Sequence, residues 1–141
     1  MNLITLQRIS ATELMAHDSF PACGAMVTFE GHVRNHHRGR PVTRLYYEAY
    51  GPMSEKVLRE LIQEIEEEWS ECVVRVRHRI GSIAIGEVAV AIVVWAPHRR
   101  EAFQACEAMI NRIKQQVPIW KQETYQDGET CWVRCDHNDV Q

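Results

Sequence analysis

Long hydrophobic runs are missing from this chain of 141 residues. The most apolar stretch, Val88–Ala96, has the length of a β-strand. A membrane-spanning helix needs about 20 apolar residues, so this stretch is too short to be one. The first residues also lack the basic segment followed by an apolar segment that is typical of a secretory signal peptide. We therefore expect a cytoplasmic protein.

An excess of basic residues is missing as well, because 16 Lys and Arg stand against 19 Asp and Glu, a formal net charge of −3. A chain with this balance is not a generic nucleic-acid binder. Its charges are segregated, however. Basic residues cluster in 34–40, 75–79 and 98–100, and acidic residues concentrate in 64–71. The modest net charge therefore hides basic patches.

Cysteines are few, odd in number and scattered, and without a secretory signal they are expected to be reduced thiols. The paired spacings of strong zinc sites are absent. Weak candidates for a metal site are Cys131-x3-Cys135-x-His137 and the pair His36-His37. Neither Cys106 nor Cys23 is favoured as a catalytic nucleophile. Cys106 lies on an apolar helical stripe, which indicates a core position, and Cys23 has no evident His partner in the sequence. We expect no bound metal and no cofactor.

Repeats, low-complexity segments and linkers are also absent, and the length suits a single domain spanning residues 1–141. Hydrophobic periodicity predicts three helices and seven strands. The predicted helices are Ala11–Ser19 (capped by Ser10 or Thr12), Pro52–Trp69, and one that begins near Pro97 or His98 and ends before Pro118. The predicted strands are Leu3–Ile9, Ala25–Val33, Thr43–Tyr50, Val73–Ile80, Val88–Trp95, Ile119–Tyr125 and Glu129–Arg134.

The order of these elements places several strands next to each other without a helix between them, which favours antiparallel pairing and an α+β fold. Val88–Trp95 is apolar on both faces and is therefore expected to be a central strand. The Asp-Gly pair at 127–128 predicts a hairpin between the last two strands. Buried stripes are expected on the second helix (Met53, Val57, Leu58, Leu61, Ile62, Ile65, Trp69) and on the third (Ala102, Phe103, Cys106, Met109, Ile110, Ile113, Val117).

Cations occupy unusual positions around the third helix. Arg99 and Arg100 fall in its first turn, where the helix dipole disfavours positive charge but where free N–H groups suit a bound anion. Lys114 lies one turn before the predicted end, and Lys121 follows Pro118 by three residues. The chain reversal at Pro118 lets both amines approach one cavity, and a partly desolvated lysine can act as an acid, a base or a nucleophile. The polar loop Arg34–Arg40 is a possible anion clamp.

Each of these features also has a purely structural interpretation. A lysine near a helix C-terminus is favourable for the dipole alone. The arginine pair can be a solvated face with Glu101 and Glu107 as counter-charges, and the 34–40 loop can be an ordinary solvated loop. The cation pattern indicates an anionic substrate without naming a reaction.

Several motifs, in one order and with similar spacings over residues 24–133, resemble the large, catalytic subunit of molybdopterin synthase. They are Gly24–Asn35 (GAMVTFEGHVRN), Tyr47–Tyr50 (YEAY), Met53–Lys56 (MSEK), His78–Gly81 (HRIG), Ala96–Arg99 (APHR), Ile113-Lys114 and Val117–Glu123 (VPIWKQE).

That resemblance implies an α+β "hammerhead" fold with a mainly antiparallel sheet and about three helices. It further implies a homodimer in which each protomer binds a small ubiquitin-like sulfur-carrier subunit, giving a heterotetramer. The implied reaction transfers two sulfurs from the carrier's thiocarboxylated C-terminal glycine to cyclic pyranopterin monophosphate, forming the molybdopterin dithiolene. No cofactor or metal is implied.

Matched by motif, the resemblance implies that Lys114 and Lys121 are the catalytic residues. It implies substrate binding by His32, Val33, Arg34, His98, Arg99, Lys114, Lys121, Gln122 and Glu123. A non-catalytic anion- or partner-binding module on the same fold is the alternative, and RNA binding would fit the basic patches but lacks a recognised motif.

Overall fold

A computed structural model describes residues 2–15 and 19–134, apart from the Arg134 side chain. The helices are α1 (Ala11–Met15), α2 (Gly51–Glu68) and α3 (Arg99–Gln116). The strands are β1 (Ile4–Thr5), β2 (Ala25–His32), β3 (His36–His37), β4 (Arg40–Ala49), β5 (Val73–Arg79), β6 (Gly81–Ile83), β7 (Val88–Ala96), β8 (Ile119–Tyr125) and β9 (Thr130–Arg134).

Two sheets form, and antiparallel pairing dominates both. The first sheet has the order β1-β5-β7-β2, and only the short β1–β5 pair in it is parallel. The second has the order β3-β4-β8-β9, with β6 also paired to β4. The expected α+β class with three helices and a mainly antiparallel arrangement is confirmed.

The central strand β7 is covered on both faces, as its apolar sequence predicts. Val90, Ile92 and Val94 face a core built with α2 and α3. Ala91 and Val93 face a smaller core that contains residues of α1. Because both faces are sealed, neither tolerates a polar side chain, which explains the unbroken apolar run.

Most long elements begin and end within a residue or two of their predicted bounds, although β4 begins at Arg40, three residues before the predicted start at Thr43. The N-terminal elements differ more. The predicted strand Leu3–Ile9 is reduced to Ile4–Thr5, because the chain leaves the sheet edge at Leu6, whose exposure is 70%. Ser10 caps α1 as predicted, with its Oγ accepting the Glu13 N–H at 3.2 Å. The predicted end at Ser19 is wrong, since that residue is not helical.

Three further expectations are corrected. Met53 (48% exposed) and Phe103 (62% exposed) lie outside the buried stripes of their helices, because each falls at the edge of its apolar face. Strands β3 and β6 were not predicted. The strands β2 and β4, which were predicted to follow one another directly, do not pair with each other but enter different sheets.

Within the described ranges, no helix has both the length and the apolar character needed to cross a membrane.

Candidate active site

A cavity of about 340 Å³ lies where the two sheets meet the C-terminal end of α3. That volume falls within the range of small-molecule sites. Strands of both sheets, the loop that follows β2 and the last two turns of α3 contribute to its wall. Its lining comprises Phe29, Gly31, His32, Arg34, His36, His37, Leu45, Tyr47, His78, Ala89, Val90, Ile110, Ile113, Lys114, Ile119, Lys121 and Glu123.

Two lysines reach this cavity from different elements. Lys114 lies in the last turn of α3, which ends at Gln116, and the N–H of the following residue, Val117, donates to Ile113 O. Pro118 follows, and Lys121 is then the third residue of β8. Strand alternation directs Lys121 and Glu123 toward the cavity and Gln122 toward the opposite face. The chain reversal at Pro118 therefore brings the two amines to one cavity.

His32, the last residue of β2, and Val33, which follows it, differ in their placement relative to the cavity. His32 lines the cavity, and its Nε2 lies 3.0 Å from Glu30 Oε1. The Ala11 N–H and the His32 ring hold the pKa of Glu30 below its ordinary value. Val33 is buried in a small core outside the wall, with its N–H bonded to Glu87 O. Arg34 is the next residue, and it lines the cavity while remaining exposed to solvent.

His98 and Arg99 lie at the opposite end of α3 from Lys114. Arg99 and Lys114 are separated by about 22 Å along the helix axis, at ~1.5 Å per residue. His98 and Arg99 are both exposed, and neither of them lines the cavity. The described chain thus brings together His32, Arg34, Lys114, Lys121 and Glu123, and separates them from the α3 N-terminus.

His78 is a buried, neutral histidine in the cavity wall. Its Nδ1 lies 2.8 Å from Arg79 O, which can only accept, so Nδ1 carries the proton. Burial, together with a smaller effect of the positive charge of Lys114, lowers the pKa of His78 to about 4, against the opposing effect of the bond to Arg79 O. The ring therefore adds no charge to the lysine side of the cavity near pH 7.

This low pKa predicts a loss of stability in acid. The unfolded chain protonates His78 below pH 6.5, whereas the folded chain resists protonation until about pH 4. Stability due to this residue is therefore present above pH 6.5 and declines as the pH falls toward 4, by about 3 kcal/mol in total. We expect the difference in unfolding free energy between the native protein and a His78→Gln variant to shrink by that amount over this window. A difference that does not change with pH would contradict the prediction.

The sequence model described as "MoaE protein" matches residues 4–116 of the chain. The chain belongs to the MoaE family. The "Molybdopterin synthase catalytic subunit" of Staphylococcus carnosus is 48% identical over 113 residues, which are 80% of this chain and 75% of that protein. The "Molybdopterin synthase catalytic subunit 1" of Mycobacterium tuberculosis is 45% identical over 92% of this chain and 88% of its own length.

A solved structure supports the same assignment for the whole fold. The crystal structure of molybdopterin synthase from Staphylococcus aureus superposes with a TM-score of 0.86 at 40% identity, covering 92% of this chain and 94% of that chain. The hammerhead-type α+β fold implied by the sequence resemblance is therefore the fold of this MoaE-family chain.

Among the described residues of this MoaE-family chain, no cysteine lines the cavity. Burial raises the pKa of Cys106 to about 11 and also raises that of Cys72, so both thiols stay protonated near neutral pH. Within residues 2–15 and 19–134, no group of three or more His, Cys, Asp and Glu side chains is placed to hold a metal. Of the residues that the sequence offers as weak candidates for a metal site, Cys135 and His137 lie outside the described residues.

His78 and His37 are wall residues whose burial the sequence analysis did not predict. His78 has a usable signal in the sequence, since it is the one polar residue on the apolar face of β5. His37 is named from the sequence only as half of a weak metal candidate and as part of the 34–40 loop, and its burial has no local signal because it depends on the hairpin that joins β3 to β4.

Proposed function

We propose that this MoaE-family protein is the catalytic subunit of a molybdopterin synthase and acts as a sulfurtransferase in the cytoplasm. It takes sulfur from the thiocarboxylated C-terminal glycine of a small ubiquitin-like carrier and transfers two sulfurs to cyclic pyranopterin monophosphate. The observation that carries the proposal is the approach of Lys114 and Lys121, from two elements, to one cavity that Arg34 also lines. Chain-wide similarity to catalytic subunits of this name supports it.

The lysines suit the chemistry of this reaction. In each transfer the carrier's sulfur forms a bond to a carbon of the substrate while a bond from that carbon to oxygen breaks, and the oxygen leaves as water or as a phosphate oxygen. Water then hydrolyses the bond between sulfur and the carrier's acyl carbon, leaving a carboxylate on the carrier. Negative charge develops on the departing oxygen in the first step and on the acyl oxygen in the second. Ammonium groups in a partly enclosed cavity stabilise such charge more than water does. Lys114 and Lys121 are therefore assigned this role jointly.

Substrate phosphate binding is assigned to Arg34, with His98 and Arg99 supplied by the second protomer of a homodimer. The separation of about 22 Å along α3 prevents Arg99 from meeting the ligand of Lys114 in the same protomer. A two-fold arrangement can place the α3 N-terminus of one protomer at the cavity of the other. With one carrier on each protomer, the assembly is a heterotetramer, and the chain acts as a single domain within it.

Arg99→Ala should raise the KM for the pyranopterin substrate. The loss of one charge-assisted contact costs about 1.5–3 kcal/mol, and we expect kcat to change little. Steady-state kinetics at saturating carrier measures both constants. An unchanged KM with a reduced kcat would instead place Arg99 at the reacting atoms.

Mixed dimers test whether Arg99 acts across protomers. Lys114→Ala and Arg99→Ala chains, mixed and allowed to exchange, should regain about a quarter of wild-type sites, because half of the dimers then carry one intact site. The measurement is turnover at low substrate concentration. If mixing restores nothing although exchange is demonstrated, Arg99 does not serve the partner's cavity.

Reconstitution tests the proposed function itself. Purified protein, thiocarboxylated carrier and cyclic pyranopterin monophosphate should yield the dithiolene product. The alternative, an anion- or partner-binding module, predicts binding of carrier or substrate without product. Absence of product with a carrier that is active on another molybdopterin synthase would refute the enzymatic proposal.

A further inference from the structure

A buried network of three side chains lies at one end of the cavity. Glu123 is 2% exposed, and its Oε1 lies 2.7 Å from His37 Nδ1 and 2.7 Å from the Tyr125 hydroxyl. Burial, followed by the hydrogen bond to Glu123, raises the pKa of Tyr125 to about 12, so the hydroxyl remains a donor. A carboxylate oxygen that accepts two bonds inside the protein is held tightly, because losing either donor leaves a buried charge poorly paired.

One face of β8 and the hairpin that joins β3 to β4 bring these side chains together. Lys121, Glu123 and Tyr125 occupy alternate positions of β8 and share its inner face. His37 and Arg40 flank a two-residue turn formed by Arg38 (φ 52°) and Gly39 (φ 79°). Two consecutive positive φ values are typical of a type I′ turn, which fixes the register of the short hairpin. His37 is thereby held in a buried position against Glu123.

Arg40 closes the network on its other side. Its guanidinium lies 3.6 Å from the centre of the Tyr125 ring and pairs with Asp127 at 3.3 Å and Glu129 at 3.2 Å. His37 and Arg40, which flank the same turn, thus both contact side chains of β8. His37 contacts Glu123, and Arg40 contacts Tyr125. The loop that carries Arg34 is therefore joined, through the β3–β4 hairpin, to the strand that carries Lys121.

We propose that His37 and Tyr125 are positioning residues, which act through Glu123 to hold the Arg34 loop and Lys121 in fixed relative positions. This inference rests on the proposed sulfur transfer and changes the role expected for Glu123. Its Oε1 is occupied by two protein donors, so Glu123 anchors the site instead of binding substrate. Displacement of a catalytic group by about 1 Å can cost ~100-fold in rate, which gives such an anchor a function.

Tyr125→Phe tests the anchor while keeping the ring under Arg40. We expect kcat to fall about tenfold with KM changed less than about twofold, because substrate contacts remain while Lys121 loses its fixed position. Tyr46→Phe is the matched control. It removes a hydroxyl from an exposed side chain of β4, outside the cavity lining, and should leave kcat unchanged.

His37 offers a conservative rescue. Asn at position 37 can place an N–H donor near the position of Nδ1, whereas Leu fills similar space without a donor. We therefore expect His37→Asn to keep most of kcat and His37→Leu to lose about tenfold. Equal activity in these two variants would overturn the role given to the hydrogen bond.

Amide hydrogen exchange of the unliganded protein gives a measure that does not depend on turnover. The Val42 N–H donates to Asn35 O at 2.8 Å and so joins the residue after Arg34 to β4. Its exchange should accelerate about tenfold in Tyr125→Phe. The Val33 N–H, bonded to Glu87 O at 3.0 Å, should not change.

The outcomes separate this inference from the proposed function. A wild-type protein that makes no product refutes the proposed function, and the exchange rates then still decide whether the network holds the loop. If wild type is active, an unchanged kcat in Tyr125→Phe overturns the inference, whether or not thermal stability or exchange is altered. A raised KM with kcat retained also overturns it, since Glu123 would then contact substrate.

Discussion

Lys114→Ala should nearly abolish product formation while leaving the protein folded. Removal of one group that stabilises developing charge typically costs about 10²–10³ in turnover, and Lys114 has both a cavity position and a motif match. Its contribution to folding is small by comparison. A lysine in the last turn of a helix is worth roughly 0.3–1 kcal/mol through the dipole.

The measurement is turnover in the reconstituted synthase together with thermal unfolding of the variant. Lys56→Ala is the matched control, because Lys56 lies on α2, is 70% exposed and, within residues 2–15 and 19–134, forms an ion pair with Glu60 alone, at 4.0 Å. We expect it to retain wild-type turnover. Near-normal turnover in Lys114→Ala, or loss of its folded structure, would show that Lys114 is not the catalytic group assigned here.

Deletion of the carrier's last two residues, which include the thiocarboxylated glycine, should stop catalysis and weaken its association with this protein. For Lys114 and Lys121 to act on the thiocarboxylate as proposed, the tail has to enter the cavity as an extended peptide. Extended peptides bind through main-chain hydrogen bonds, and their terminal carboxylates are captured by cationic groups or N–H groups. Both kinds of contact are lost when the tail is shortened.

Calorimetry of full-length and truncated carriers measures the association directly. The truncated carrier should bind more weakly, and the Lys114→Ala variant should discriminate less between the two carriers, because one anchor of the terminus is already missing. If truncation leaves the affinity undiminished, the globular surfaces alone hold the complex. If the full-length carrier does not bind, the partner assignment is wrong.

Local patterns in the sequence predict much of this fold. Apolar residues recur at helical spacing on α2 and α3, and they alternate with polar residues on β5. Each pattern indicates that one face of the element is buried, and it can be recognised from neighbouring residues alone. The end of α3 is likewise local, because Pro118 cannot continue the helix. For this reason the reversal that brings Lys114 and Lys121 to one cavity could be anticipated before the structure was known.

The remaining features depend on contacts between distant parts of the chain. Nothing in the spacing of β2 and β4 indicates that they enter different sheets. His37 is buried against Glu123, 86 residues away, through a turn whose flanking strand is only two residues long. The distance between Arg99 and Lys114 follows from helix length alone, whereas the proposed contribution of Arg99 to the cavity of a second protomer depends on assembly.

Isotopic labelling of the carrier's sulfur tests the sulfurtransferase assignment most directly. Carrier bearing a ³⁴S thiocarboxylate is mixed with this protein and cyclic pyranopterin monophosphate, and the product is analysed by mass spectrometry. The account predicts a dithiolene in which both sulfurs carry the label, and no such product from the Lys114→Ala variant in the same time. A product with unlabelled sulfur, or no product from a carrier that is active on another synthase, would contradict it.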